Sequence, residues 1–487
     1  MEGCVATSSD LTEARALCDA GRLDEAAALC RTVLARDVGD LAALHLLGVV
    51  LLRGGNAVEA VPLLASVAEQ CADAGVLHAL GEALRAVGLV DEAAARWRAA
   101  IALRPDLPES WLALGNVLLE QDEPAEAEHC FRSAIAARPD FVEALNNLGN
   151  ALVALHRLEE AGQSYATALT LRPDSANTGF AYALGLLLGG DFAEGWRQFE
   201  ARREVGPLRW NYQRRPELPR WQPGMALEGK RVLLMAEQGA GDVMQFVRYA
   251  PLLAARGARV VLELPHEMHG VFARMPGVAR IVALEDPVAD CDVACPLLSL
   301  PLYFGTTLDS IPAAVPYAAV LPERLEHWRA WLGPARGRRI GLVCSGRPEH
   351  PLDRNRSVSL QRLAPILAVP GCEFVLVQQQ VRDRDQAALA AVPALRRAGS
   401  ELRDYSDTAA LLGLLDLVVT VDTSVAHLAG ALARPVWLML PFAPDFRWLL
   451  GRGNSLWYPT MRLYRQPARG DWDSVIAAVQ RDLHGLP

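Results

Sequence analysis

Several familiar features are missing from this 487-residue chain. It has no excess of positive charge: 48 Lys and Arg stand against 57 Asp and Glu, a net charge of −9. That excludes a global basic field of the kind that attracts nucleic acid, although a local basic pocket is compatible with it. It has no zinc-like cysteine pattern. Of nine cysteines, Cys291 and Cys295 form a C-x3-C, with no second pair and no nearby histidine. The remainder are scattered and read as reduced thiols filling small core positions. No run approaches the ~18–20 apolar residues of a membrane span. The first residues, MEGCVATSSDLTEAR, carry no apolar signal core. The expectation is a cytoplasmic protein. What is present is a globular composition, 51% apolar and 22% charged, with length for about three domains.

The first part is periodic. Leu77-x2-Leu80-Gly81-x2-Leu84 returns as Trp111-x2-Leu114-Gly115-x2-Leu118, and again as Leu145-x2-Leu148-Gly149-x2-Leu152, each time 34 residues on. Ala93, Ala127 and Ala161 follow at a fixed offset, then Trp97, Phe131 and Tyr165, then Ala100, Ala134 and Ala168. Pro105, Pro139 and Pro173 close the units. This is the tetratricopeptide signature of two antiparallel helices per repeat. An earlier repeat near Leu44 drifts by one residue, and Leu11–Ala35 is a degenerate first unit. Gly179–Arg202 makes one further helix pair. Stacked repeats give a superhelix with a concave face suited to peptides, or one that only dimerises or braces a neighbour. Asn116, Asn146, Asn147 and Asn150 lie on or beside the groove-lining helices; their amides either clamp a peptide backbone, donating and accepting at once, or are solvated or cap turns.

Residues 206–229 break the pattern. Pro207, Pro216, Pro219 and Pro223, with Trp210, Tyr212 and Trp221, predict an extended segment pinned to a domain surface, unlike a Gly/Ser tether.

Thereafter buried strands alternate with helices, which implies parallel sheets. Val232–Ala236 runs into Gln238-Gly239-Ala240-Gly241-Asp242 and an apolar helix Val243–Ala255. GAGD lacks the third glycine of a dinucleotide fingerprint, and no acidic residue ends the next strand in the right register, so NAD is rejected. Asp242, at a helix start, is either a simple cap or an ionised carboxylate able to act as a base. Further on, Arg339–Cys344 leads to Ser345 and a loop with Arg347, His350, Arg354 and Arg356, either a solvated surface loop or one suited to phosphate. Phe374–Val377 ends in Gln378. Leu417–Val421 ends in Asp422-Thr423-Ser424, followed by a small-residue helix bearing His427 and a strand Val436–Leu440; this is either an ordinary crossover with Asp422 as a simple cap or a loop whose unpaired N–H groups suit a phosphate. The loop ends at Ser345, Gln378 and Asp422 gather on one sheet edge, where ligands bind in open parallel sheets. Among the later aromatics, Phe442, Phe446, Trp448, Trp457, Tyr458 and Tyr464 are either core or the wall of a base pocket.

The strand running into Asp422-Thr423-x3-His427 and a small-residue helix resembles the donor site of GT-B glycosyltransferases, the heptosyltransferase-like group above all. Gly241-Asp242-Val243 followed by Phe246, Arg248 and Ala250-Pro251-Leu252-Leu253 resembles that group's first loop, and the whole chain is similar to bacterial fusions of a tetratricopeptide array with such a transferase. The resemblance implies an all-α superhelix followed by two Rossmann-like domains: residues 1–205 as the array, 206–229 as linker, 230–322 as acceptor domain, 323–337 as a linking helix, 338–466 as donor domain and 467–487 as a returning C-terminal helix. It implies inverting transfer from a nucleotide sugar to an acceptor hydroxyl, with Asp242 as base, Gln238, Gly239 and Gly241 shaping the acceptor loop, and Ser345, Arg354, Arg356, Gln378, Asp422, Thr423, Ser424 and His427 holding the donor. Arginine stands where heptosyltransferases commonly have lysine. The resemblance implies a metal-independent transfer, so neither metal nor other cofactor is expected. The array would present a protein acceptor such as flagellin; an inactive scaffold and a glycolipid transferase are the alternatives.

Overall fold

The structure is a computed structural model describing residues 9–349 and 353–486. His350 of the basic loop lies outside the described residues. The chain forms two compact units, Met1–Thr178 and Gly179–Pro487.

The first unit is a run of antiparallel helix pairs: α1 (Ser9–Asp19) with α2 (Leu23–Arg36), α3 (Leu41–Arg53) with α4 (Ala57–Gln70), α5 (Ala74–Ala86) with α6 (Val90–Leu103), α7 (Pro108–Glu120) with α8 (Pro124–Ala137), and α9 (Val142–Ala154) with α10 (Leu158–Leu171). The glycine of each first helix explains the pairing. A Cβ on Gly81, Gly115 or Gly149 would sit 2.4–2.6 Å from the ring of Trp97, Phe131 or Tyr165. Each aromatic is almost completely buried, as are Ala93, Ala127 and Ala161. Small residues thus let one helix lie against a ring carried by the other. Gly48 plays the same part against Leu64 in the drifting repeat.

The second unit holds two parallel sheets. The first, in spatial order β3-β2-β1-β4, comprises β1 (Arg231–Met235), β2 (Arg259–Glu263), β3 (Val278–Val282) and β4 (Val293–Pro296). The second, in order β10-β9-β8-β5-β6-β7, comprises β5 (Arg338–Val343), β6 (Cys372–Leu376), β7 (Arg396–Arg397), β8 (Leu417–Val421), β9 (Val436–Leu440) and β10 (Met461–Arg465). In each, the chain winds outward from the first strand and then returns to its other side. This is the doubly wound arrangement, and it creates a switch point between β1 and β4 and another between β5 and β8. β8 and β9 are buried at every residue, as near-continuous apolar runs require when both sheet faces are covered.

Four expectations are corrected. Residues 206–213 are helical (Gly206–Gln213), because Pro207 falls in the first turn, where its missing N–H costs nothing. Trp210 of this segment is exposed, whereas Trp221 is buried. The predicted helix 243–255 is broken into Ala240–Phe246, a 3-10 turn Val247–Tyr249 and Ala250–Ala254, because Pro251, in the first turn of the last piece, has no N–H to continue the preceding helix. The packing boundary falls after Thr178, not 205: the helix Phe192–Phe199 buries Phe192, Trp196 and Phe199 in the second unit, with Trp196 edge-on to Phe246, Phe446 and Trp457. Finally, the C-terminal helix Trp472–His484 does not return to the first sheet. Its apolar face, Trp472, Val475, Ile476, Val479 and Leu483, joins the core beneath the second.

Candidate functional site

β1 runs on into Ala236 and Glu237, and the chain turns through Gln238, which adopts a left-handed φ of 59° and is exposed. Gly239 then caps the helix Ala240–Phe246, and Asp242 is its third residue. Asp242 is not the N-cap. Its Oδ2 accepts from the Gly239 N–H at 2.9 Å, reaching back as a third-position carboxylate does. Its Oδ1 is held by the guanidinium of Arg447, which arrives from the chain beyond β9. Burial pushes this carboxyl above its usual range; Arg447 and the Gly239 N–H pull it back down.

From the second sheet, β8 delivers Asp422, Thr423 and the helix Ser424–Ala431. Thr423, in extended conformation, is the N-cap and makes no side-chain cap bond. Ser424 accepts from the Tyr405 hydroxyl at 3.2 Å. Asp422 caps nothing: its Oδ2 accepts from the Trp448 indole N–H at 2.9 Å, and its Oδ1 lies 3.9 Å from His427 Nε2. The other His427 nitrogen meets the Tyr458 hydroxyl at 3.0 Å, and the ring stacks on Trp448 with centroids 5.3 Å apart. Burial, then Arg447, Arg248 and Arg356, hold His427 well below the ordinary histidine range, so it is neutral. It can offer a hydrogen bond to a phosphate, not the charge that position alone suggests.

The two loops meet. A Cβ on Gly241 would lie 2.8 Å from His427 Cδ2, so only glycine lets the helix bearing Asp242 approach the helix bearing His427. Arg248, just downstream, fastens the same contact. It is buried, donates to the Tyr317 hydroxyl at 2.8 Å and to the Trp457 carbonyl, and lies over the Tyr458 ring. Asp242, Asp422, His427 and Arg447 are thereby gathered between the carboxyl edges of the two sheets.

The remaining predicted donor residues divide. Ser345 and Gln378 are buried and bonded to each other at 3.3 Å, while the Gln378 carbonyl accepts from the Cys344 N–H at 3.0 Å. They shape the loop and have little left for a ligand. Arg354 is exposed. Arg356 is largely buried, lies against Gly346 and acts electrostatically on both Asp422 and His427; its Nε has no hydrogen-bond partner. Asp353 anchors that loop through Arg382 and the Ser357 hydroxyl. Of the aromatics, Phe446 and Trp457 are core, Tyr464 packs on Trp437, and Trp448 and Tyr458 serve as both core and site. Sequence reasoning missed Arg447 and Asp445. Their signal was the charged pair in Pro444-Asp445-Phe446-Arg447-Trp448, set at the carboxyl end of β9 among buried aromatics.

In the repeats, the asparagines bond to one another. Asn147 donates to Asn116 at 2.7 Å and accepts from Asn146 at 2.9 Å; Asn150 accepts from the Tyr165 hydroxyl at 2.8 Å. The result is a half-buried amide chain running from α7 to α9. Among the described residues no group of His, Cys, Asp and Glu could hold a metal, and no helix is long and apolar enough to cross a membrane.

Comparison with known proteins accords with the helix pairs. Models described as tetratricopeptide repeat match residues 11–75 and 112–176, and one described as TPR repeat matches 81–122. The first unit is a tetratricopeptide repeat array. Protein FlbA of Caulobacter vibrioides is 28% identical over 328 residues, a match covering 62% of this chain and 54% of that protein. The chain thus spans about half the length of this curated relative. Among solved structures, a thermophilic TPR protein of Thermus thermophilus is 25% identical, with 37% of this chain and 97% of that one covered and a TM-score of 0.32. PilF of Pseudomonas aeruginosa is 18% identical, with 41% and 91% covered and a TM-score of 0.38.

Proposed function

We propose that the second unit is a GT-B-type glycosyltransferase and that the repeat array recruits its acceptor, a protein. The observation that carries this is the meeting of Asp242 with the Asp422–His427 loop across two switch-point edges. Two doubly wound sheets whose switch-point loops meet at Gly241 and His427 suit a two-substrate reaction, one substrate per sheet. The nucleotide sugar lies on the second sheet, its diphosphate facing Arg356, His427 and the N-terminus of Ser424–Ala431, which supplies N–H groups and a partial positive charge. The acceptor hydroxyl lies on the first. Its oxygen bonds to the anomeric carbon as its proton passes to Asp242, the bond from that carbon to the phosphate oxygen breaks, and the nucleoside diphosphate leaves with the electron pair. Attack opposite the leaving group inverts the centre. Guanidinium charge and backbone dipoles stabilise the departing phosphate. The half-buried asparagine chain of the array offers amide groups to an extended peptide.

The first experiment is thermal stabilisation of the full chain by a panel of nucleotides and nucleotide sugars. A ligand at 100 times its dissociation constant adds about 2.7 kcal/mol. A hit followed by loss of turnover in Asp242→Ala, with donor binding retained, is the expected result. A flat panel at high ligand would favour a scaffold without catalysis.

A further inference from the structure

We propose that Arg447 is the receptor for the donor's anionic diphosphate, and that until this anion arrives the same guanidinium occupies Asp242, so that donor binding frees the base. This deepens the transferase reading and rests on it.

Arg447 is 10% exposed at its side chain and forks between two carboxylates, Oδ1 of Asp242 and Oδ1 of Asp445, the latter at 2.8 Å. The Phe446 ring lies beneath it, 4.4 Å from centroid to guanidinium carbon. Its Nε, buried, makes no hydrogen bond, so the planar group is not saturated by the protein. Around it stand three carboxylates, Asp242, Asp422 and Asp445, and a second guanidinium, Arg356. A site so rich in carboxylates would repel a diphosphate unless a cation were released to it. Arg447 is placed to do this, because its guanidinium holds Asp242 through a single nitrogen and can trade that contact for phosphate oxygens without changing its own planar geometry.

The exchange bears on the base. Asp242 Oδ2 is committed to the Gly239 N–H, and Oδ1, the oxygen left for a substrate proton, carries Arg447. A carboxylate paired with arginine is a weak proton acceptor. When the diphosphate draws Arg447 away, Oδ1 is uncovered in a buried setting that raises its basicity. The base is therefore exposed only in the presence of the leaving group that its action expels, and deprotonation of water or acceptor in the empty site is suppressed.

The test is a double-mutant cycle on the full chain, with inorganic pyrophosphate as the probe and calorimetric affinity as the readout. Asp242→Asn releases Arg447 and should tighten pyrophosphate binding about tenfold, and Arg447→Met should weaken it by a similar factor. In the Arg447→Met background, Asp242→Asn should change affinity little, since there is no guanidinium left to release. Should Arg447→Met fail to fold, Arg447→Lys, which keeps the charge but cannot fork, should give a reduced coupling of the same sign. A gain from Asp242→Asn that persists undiminished without Arg447 would reduce the effect to general charge removal and overturn the proposal, as would the absence of any gain. If nucleotide sugars bind but the cycle shows no coupling, only this inference falls. If neither pyrophosphate nor any nucleotide sugar binds, the transferase reading falls with it.

Discussion

At the scale of single residues, the site is a set of charges whose ionisation is set by burial. The Asp422 carboxyl is pushed up to about 6 by burial and by the neighbouring Asp445. An acid whose folded pKa exceeds its unfolded one binds more protons folded than unfolded in the interval between them. Its ionisation therefore costs stability as pH rises from about 4 to about 6, and the cost is constant above that. His427 has the opposite sign: held neutral when folded, it costs stability as pH falls below the ordinary histidine range. Asp422→Asn keeps an acceptor for the Trp448 indole while removing the charge. It should stabilise the protein at pH 7–8 by up to roughly 3 kcal/mol, the gain fading towards pH 4. Urea midpoints across this range would show it. A difference that does not vary with pH would mean that Asp422 titrates as an ordinary carboxyl. The residue types at these positions were legible in the sequence; their partners were not. Asp422 looked like a cap and accepts from Trp448, and Gln378 looked like a ligand and supports Ser345.

At the scale of elements, glycine against a ring is the device that recurs. In the array it joins α5 to α6, α7 to α8 and α9 to α10. At the site it joins the helices that carry Asp242 and His427. Gly115→Ala places a Cβ 2.6 Å from the Phe131 ring, which has no free volume to retreat into because it is fully buried. The expected cost is about 1–3 kcal/mol. Phe131→Leu in the same chain should recover part of it by removing the obstructing ring, so the two changes should be non-additive in chemical denaturation. The 34-residue period made these elements readable in advance, because one spacing is repeated and each copy confirms the others. The helix at 206–213 was not readable in that way. Proline disfavours helix interiors but favours first turns, and only the backbone tells the two apart.

At the scale of the whole molecule, the segment after the array is part of the second unit's interior. Arg202 is completely buried and bonds Glu237 through two nitrogens at 3.0 and 3.1 Å, with Glu200 and Ser299 completing its shell. Arg214 and Arg215 both pair with buried Glu263 at 2.7 Å. The carboxylates that follow β1 and end β2, Glu237 and Glu263, are thus neutralised by arginines from residues 202–215. Removing one partner of a buried pair strands the other charge, typically at 3–5 kcal/mol. A truncation beginning at 206 loses Arg202 and Trp196 and should be poorly soluble, or melt well below one beginning at 179. Equal melting temperatures for the two would show that this segment is dispensable. The 179–487 form is also the right one for asking whether transfer to a protein acceptor depends on the array.

The sequence by itself determined what is local and repeated. It specified the helix pairs of the array, the buried strands β8 and β9, and the polar residues at the ends of parallel strands, because periodicity and strand-end chemistry act between near neighbours. Only the tertiary structure decided which distant groups share a charge. Arg447 and Asp242 are separated by 205 residues and joined by one ion pair. Arg202 and Glu237 meet because the helix Phe192–Phe199, packed on the preceding helix Ala176–Gly189 through Gly195 and Leu187, buries its aromatic face against the sheet region. Such pairings depend on how two sheets and a connecting segment pack, and no spacing along the chain encodes that.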